Sequence, residues 1–207
     1  MPRLSEDTRA RRREHILRSA WACFSRDGFH AASMDDVIAA TGVSSSAVYR
    51  YFRSKEELID ATVEVGLGLV RDIFDRILEA RPTPGPAETL ATIVDELRDR
   101  TEHPDYDLSK IAMQTWAEAL RRPPLRERTR ALYAETQERL AELAARWKDD
   151  GRLPAHAEPE AAAAVIFALM HGLIVCRHMA DDVSADTLVR GLSALGAGVA
   201  GERPAKD

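Results

Sequence analysis

Between Ser33 and Lys55 the chain reads SMDDVIAATGVSSSAVYRYFRSK, and this stretch restricts the fold more than any other. Its apolar residues recur at helical rather than alternating spacing, in two runs too short to be stable alone, separated by Thr41-Gly42-Val43. Gly42 permits the positive φ that reverses a chain within a few residues, and Val43 is expected to plug the corner. Two short helices about a glycine turn predict a helix-turn-helix unit that needs further helices to bury it.

The capping pattern agrees. Ser33 stands where its hydroxyl can accept the N–H of Asp35 or Asp36, and both acids suit the positive end of a helix. Ser44 is expected to cap the second helix. Ser54 and Glu57 have the spacing of a capping box for a third, predicted to run to about Ala80 on Leu58, Ile59, Val63, Leu67, Val70, Phe74, Ile77 and Leu78. Upstream, Ile16, Ala20, Cys23 and Phe24 form one face of a helix from about Ser5 to Arg26, which Asp27-Gly28 ends.

The second helix carries residue types that suit the major groove. Small residues at its start, Ser45, Ser46 and Ala47, allow close approach; hydroxyls can donate to or accept from base edges, and a methyl can meet thymine. Tyr49, Tyr51 and Lys55 can bond phosphate oxygens and hold register, with Arg50 and Arg53 adding charge. Charge is distributed accordingly. The net charge is -5, yet residues 1 to 55 hold ten Lys/Arg against six Asp/Glu, leaving the acids concentrated in the remainder. A polyanion would therefore be held at one end. The run Arg9, Arg11, Arg12, Arg13 reads equally as a phosphate-touching helix end or as a solvated face.

These residues closely resemble the DNA-binding motif of the tetracycline-repressor (TetR) family. The resemblance is carried by Ser33, Val37-Ile38, Thr41-Gly42-Val43-Ser44, Ser46, Tyr49, Tyr51-Phe52, Lys55 and Leu58, preceded by Ile16, Ala20, Phe24 and Gly28. It covers about the first 60 residues. Ile38 and Thr41 stand where alanine is usual and Ser46 where glycine is usual, so the operator sequence is not carried over. The resemblance implies an all-α fold of about nine helices. Residues 1–53 would read double-stranded DNA, and residues 54–207 would bind an effector and form a homodimer through the last two helices. It further implies a repressor released from a palindromic operator by a small apolar or amphipathic molecule.

The remainder reads as helix throughout, at about 87–100, 107–122, 125–148, 160–180 and 184–199. RPTPGP (81–86), EHPDYD and RRPP separate them, RPTPGP being the clearest linker. Small residues in the last two helices (Ala161–Ala164, Gly172, Gly191, Ala194, Gly196–Gly198) allow close helix approach, while Phe167, Met170, Leu173, Ile174 and Leu195 supply burial; a monomer core has the same composition. Among residues expected around an effector are Phe74, Met113, Trp116, Tyr133, Phe167 and Met170, with Gln114, Gln137, His103 and His171 to orient a polar group. Ordinary core is the alternative for each.

No cofactor or metal site is expected. Cys23 and Cys176 have no metal-finger spacing, and among His171, Cys176, His178, Asp181 and Asp182 only His178 with an aspartate has helical ligand spacing, lacking a third ligand. No phosphate loop or activated nucleophile is recognisable, so an enzyme is not expected. The competing reading is a helical interaction protein whose helix-turn-helix does not bind DNA. No apolar run is expected to span a bilayer, and the charged start MPRLSEDTRARRREHI lacks a signal-peptide core; the expected setting is the cytoplasm.

Overall fold

A computed structural model describes residues 5–180 and 182–199, with side chains through residue 194. Asp181, Leu195, Gly196, Ala197 and Gly198, named above, lie outside the residues whose side chains are described. The described residues form nine helices: α1 Glu6–Ala31, α2 Met34–Thr41, α3 Ser45–Tyr49, α4 Lys55–Glu79, α5 Pro86–Thr101, α6 Leu108–Ala119, α7 Pro123–Asp149, α8 Pro159–Met179 and α9 Ala185–Val199. The all-α expectation holds. One correction falls in EHPDYD, where β1 Glu102–His103 pairs antiparallel with β2 Tyr106–Asp107, Glu102 opposite Asp107. Two-residue strands are too short to leave an alternating pattern.

Packing divides the chain into two compact units, residues 1–72 with 100–133, and 73–99 with 134–207. The functional division expected at residue 53 follows a different line from this packing.

In the first unit the amphipathic faces of α1, α2, α3, α4 and α6 share one core. Ile16, Ala20, Phe24, Val37, Val48, Phe52, Leu58 and Ile111 are all buried in it. Phe24 and Phe29 meet edge to face, centroids 5.1 Å apart, as do Trp21 and Tyr106 at 5.2 Å. Phe24 and Phe29, both buried, each contribute roughly 1.5–3 kcal/mol by leaving water.

The end of α1 is broken at Gly28, whose φ of 85° and ψ of 164° interrupt the helix as expected. That break leaves main-chain groups without helical partners, which must be met otherwise. Gln114 of α6 meets two of them. Its Oε1 accepts the Phe29 N–H at 2.7 Å, and its Nε2 donates to the Phe24 carbonyl at 2.9 Å. The expectation that Gln114 orients an effector is corrected accordingly, since both ends of its amide are engaged by the backbone of α1. A second tie is the Asp107 N–H, donated to Ser25 Oγ at 3.0 Å.

In the second unit Ile73, Phe74, Ile77, Ile93, Leu140, Leu143, Trp147, Ile166 and Met170 are buried. RPTPGP is not a free tether. The Trp147 indole N–H donates to the Pro84 carbonyl at 2.7 Å, and Arg152 Nη1 donates to the Thr83 carbonyl at 2.8 Å. Prolines lack N–H donors, but the backbone carbonyls of the segment remain acceptors, and α7 with the turn after it uses those of Pro84 and Thr83. Arg139 of α7 also pairs with Asp75 of α4 and Glu135.

Helix α8 departs from the expectation that no segment is long and apolar enough to cross a membrane: by length and composition it is, and only 17% of its most apolar stretch is buried. Val165, Val175 and Met179 project from it with 41–71% exposure.

Candidate nucleic-acid interface and effector region

The helix-turn-helix is built from bonds local in sequence. Ser33 Oγ accepts the Asp36 N–H at 3.1 Å, while the Asp36 carboxylate accepts the Ser33 N–H at 2.8 Å and its hydroxyl at 2.6 Å. That reciprocal cap fixes the start of α2, and its hydrogen bonds hold the Asp36 carboxyl below its ordinary value. Ser33, expected on DNA, is exposed with its hydroxyl already engaged in this cap.

Gly42 adopts the left-handed turn, φ 67°. The corner is filled by Thr41 rather than by Val43, which is 42% exposed where Thr41 is 5%. Thr41 Oγ1 donates to the Ile38 carbonyl at 2.7 Å and accepts the Val43 N–H at 3.2 Å. Because its hydroxyl satisfies both main-chain groups at the turn, threonine can be buried there. The Thr41 carbonyl in turn lies 2.8 Å from His15 Nε2, tying the turn to α1.

Helix α3 is rooted by Val48 and Phe52, both buried, and continued by hydrogen bonds from Tyr51 and Phe52 N–H to the Val48 carbonyl. The other face is open: Ser44, Ser45, Ser46, Tyr49 and Arg50 are exposed, Ala47 and Tyr51 half-buried. Ser44 occupies the N-cap position but makes no capping bond, its Oγ lying 3.2 Å from Ser46 Oγ. Ser54 Oγ accepts the Glu57 N–H at 3.3 Å, whereas the Glu57 carboxylate reaches the Arg53 N–H at 2.7 Å, one residue earlier than the expected box.

Lys55 needs a correction in emphasis. Its ammonium donates to the carbonyls of Ala32 at 3.0 Å and His30 at 3.4 Å. It thereby closes the end of α1, a task for which a cation beside unpaired carbonyls is well suited. Arg9 and Arg13 of α1 join Arg50 and Tyr51 around a hollow that the sequence did not indicate. Their four-residue spacing was readable, but the meeting with α3 was not.

The effector candidates separate into the two units. Met113, Trp116 and Tyr133 lie in the first; Phe74, Gln137, Phe167, Met170 and His171 lie in the second. Burial pushes the Tyr133 phenol up to about 12, against which its hydrogen bond with Trp116 acts. Phe167 and His171 stack at a tilt, centroids 4.4 Å apart, with His171 Nδ1 2.8 Å from the Phe167 carbonyl. Burial lowers the His171 imidazole, so it stays neutral at neutral pH. Phe74 and Met170 are fully in core, and Met113 is half-buried. Gln137 is exposed on α7, which corrects its expected place around an effector: the buried turn positions beside it are Leu132, Thr136 and Leu140. His103 is also exposed, stacked on Tyr106 at 4.4 Å. Among the described residues no three His, Cys, Asp or Glu side chains gather as a metal site.

Tyr133 gives a testable consequence. Its folded value lies above the ordinary 10.0, so its contribution to stability is complete below pH 10.0 and is lost as the pH rises toward about 12. The loss amounts to roughly 2–3 kcal/mol. Phenolate absorbance of the folded protein will show a late step that Tyr133→Phe removes, and that variant will unfold at higher alkaline pH than the parent. An unchanged late step would show that Tyr133 is not its source.

Residues 16–62 match the family described as bacterial regulatory proteins, tetR family, and residues 86–199 match the C-terminal region of BetI-type transcriptional repressors. The chain is 27% identical over 186 residues to the HTH-type transcriptional regulator YfiR of Bacillus subtilis, covering 89% of each protein. Among solved structures it resembles Salmonella enterica GusR, with 26% identity and a TM-score of 0.67 over 92% of this chain and 96% of that one. A transcriptional regulator from Saccharomonospora viridis, solved in complex with choline, shares the fold with a TM-score of 0.71 at 21% identity, over 90% of this chain and 95% of that one.

Proposed function

Because the chain belongs to the tetR family of bacterial regulatory proteins, and carries the C-terminal region of the BetI-type repressors, we propose that it is a homodimeric repressor of a palindromic operator. It is a ligand-responsive, DNA-binding transcriptional regulator. In this reading residues 1–53 read DNA and residues 54–207 take the effector and pair the subunits. The observation that carries it is the start of α3, where Ser45 and Ser46 are exposed and Ala47 half-buried while Val48 of the same helix and Phe52 just beyond it are buried in the core.

Ser45, Ser46 and Ala47 meet base edges, and Ser44, Tyr49, Arg50 and Tyr51 position the helix on phosphates and sugars. Ser33 and Lys55 contribute by holding the ends of α2 and α1. Pairing runs through α8 and α9. The support is the exposed apolar face of Val165, Val175 and Met179, on a helix whose composition otherwise demands cover. A two-fold protein then presents its two α3 helices to successive major grooves, ~34–36 Å apart. The protein works in the cytoplasm, beside its DNA, and performs no chemistry on its effector.

The effector is a small apolar or amphipathic molecule, and the candidates to meet it are Met113, Trp116 and Tyr133 in the first unit and Phe74, Phe167, Met170 and His171 in the second. It releases DNA only if it binds the DNA-incompetent arrangement more tightly than the competent one. The change acts through α4, which starts at the DNA-reading end and continues to Glu79.

Selecting bound duplexes from random sequence tests the reading. A palindromic consensus, bound by a dimer and weakened by Tyr49→Phe, is expected; metabolite fractions, with choline as the first pure probe, are then added to find the one that releases it. Absence of any retained sequence at low salt would instead identify a helical interaction protein.

A further inference from the structure

Arg9 and Arg13 stand one turn apart on α1, and Arg50 closes α3; with Ala10 and Tyr51 they line a hollow of about 430 Å³. Among the described residues, no carboxylate pairs with any of these three arginines. Their neighbours on α1 differ: Arg18 pairs with Glu14 at 2.8 Å and Arg11 approaches Asp7 at 3.9 Å. The Arg13 guanidinium lies over the Phe52 ring, 5.0 Å from its centroid. A side chain that roots α3 in the core thus also orients one arginine of the hollow. Three like charges gathered without a counter-charge raise the local potential and favour an anion between them. Planar guanidiniums suit phosphate oxygens, which they can grip two at a time.

We propose that this hollow is a socket for a single DNA backbone phosphate in each subunit, gripped by Arg9, Arg13 and Arg50 with Tyr51 at its edge. The inference rests on α3 being the DNA-reading helix, and it assigns α1 a direct part in binding. The hollow lies at the closing end of α3, away from Ser45 and Ser46, so a phosphate there fixes the helix in its groove without reading a base. Because one wall is α1 and the other α3, the same phosphate also fixes the angle between them.

The test uses the full-length dimer and its selected operator, with affinity measured across a salt series. The triple variant Arg9→Gln, Arg13→Gln, Arg50→Gln will bind every sequence more weakly, by about tenfold or more near 0.1 M salt, with base preferences unchanged. The slope of log affinity against log salt will fall by about 0.9 per subunit, the value for one phosphate, rather than by three times that. Replacing one phosphate per half-site with an uncharged methylphosphonate will weaken the parent and leave the triple variant indifferent at that position. Circular dichroism checks the fold. If the triple variant does not fold, Arg50→Gln, an exposed change at the end of α3, must show the same indifference in part.

An unchanged salt slope, with the parent still retaining its operator, overturns the socket and leaves the DNA-reading assignment standing. Altered base preference also overturns it, because the hollow would then read sequence. Submillimolar binding of inorganic phosphate by the parent, lost in the triple variant, would make it a free-anion site and overturn the assignment to DNA. A parent that retains no sequence removes both readings together.

Discussion

Ser46→Glu will abolish operator binding while leaving the protein at least as stable as before. Ser46 is exposed near the start of α3, and the first turn of that helix holds no acid. A carboxylate there meets the positive end of the helix and stabilises it by about 0.3–1 kcal/mol. The same carboxylate is carried into a groove walled by phosphates, where like charges brought together cost several kcal/mol, a loss of roughly 100-fold or more in affinity. Thermal melting and fluorescence anisotropy with labelled operator separate the two effects. Retained affinity at a raised or unchanged melting temperature would place the DNA contact elsewhere than on α3. Ser46→Gly, which restores the smaller residue usual in the family, is the companion: it should leave affinity within about tenfold and shift base preference near the start of α3.

Trp147→Ala will be the most damaging single change to stability outside the DNA-reading segment. Trp147 is 1% exposed and among the largest fully buried side chains. Its removal leaves a cavity and should cost about 3–5 kcal/mol. It also leaves the Pro84 carbonyl without the indole N–H, so RPTPGP loosens from α7. Trp147→Phe keeps most of the volume and loses the 2.7 Å bond, at about 1–2 kcal/mol. Denaturant unfolding of both variants is the measurement. Equal losses would mean that the hydrogen bond, rather than the filled volume, anchors the segment.

How much of this was legible in the sequence depended on the range of the interactions. The reciprocal cap at Ser33, the left-handed Gly42 and the break at Gly28 are settled by residues within a few positions of one another, and each was readable. The apolar spacing that buries Val37, Val48, Phe52 and Leu58 was readable for the same reason. Thr41 fills the corner expected of Val43 because the deciding fact is a hydroxyl meeting two main-chain groups, which hydrophobicity does not register. Gln114 lies 85 residues from the N–H it accepts, and no local pattern marks such a partner. Lys55 looked like a phosphate ligand because its charge was visible while the carbonyls of His30 and Ala32, brought beside it by folding, were not. RPTPGP looked like a tether because proline and glycine mark a break in helix, but say nothing of which side chain donates to the carbonyls of Thr83 and Pro84.

The amide of Gln114 has a consequence for how proteins of this kind exchange parts. A reader cut after residue 53 and grafted onto a foreign body would lose the two bonds that bridge Gly28, together with the tie between Ser25 and Asp107. The graft would keep every DNA-facing residue and still lack the side chain that completes the end of its first helix. Recombination that is silent at the junction itself would therefore be felt across the broken helix, unless the incoming body supplied an amide of matching reach. The heritable module is thus larger than the segment that touches DNA.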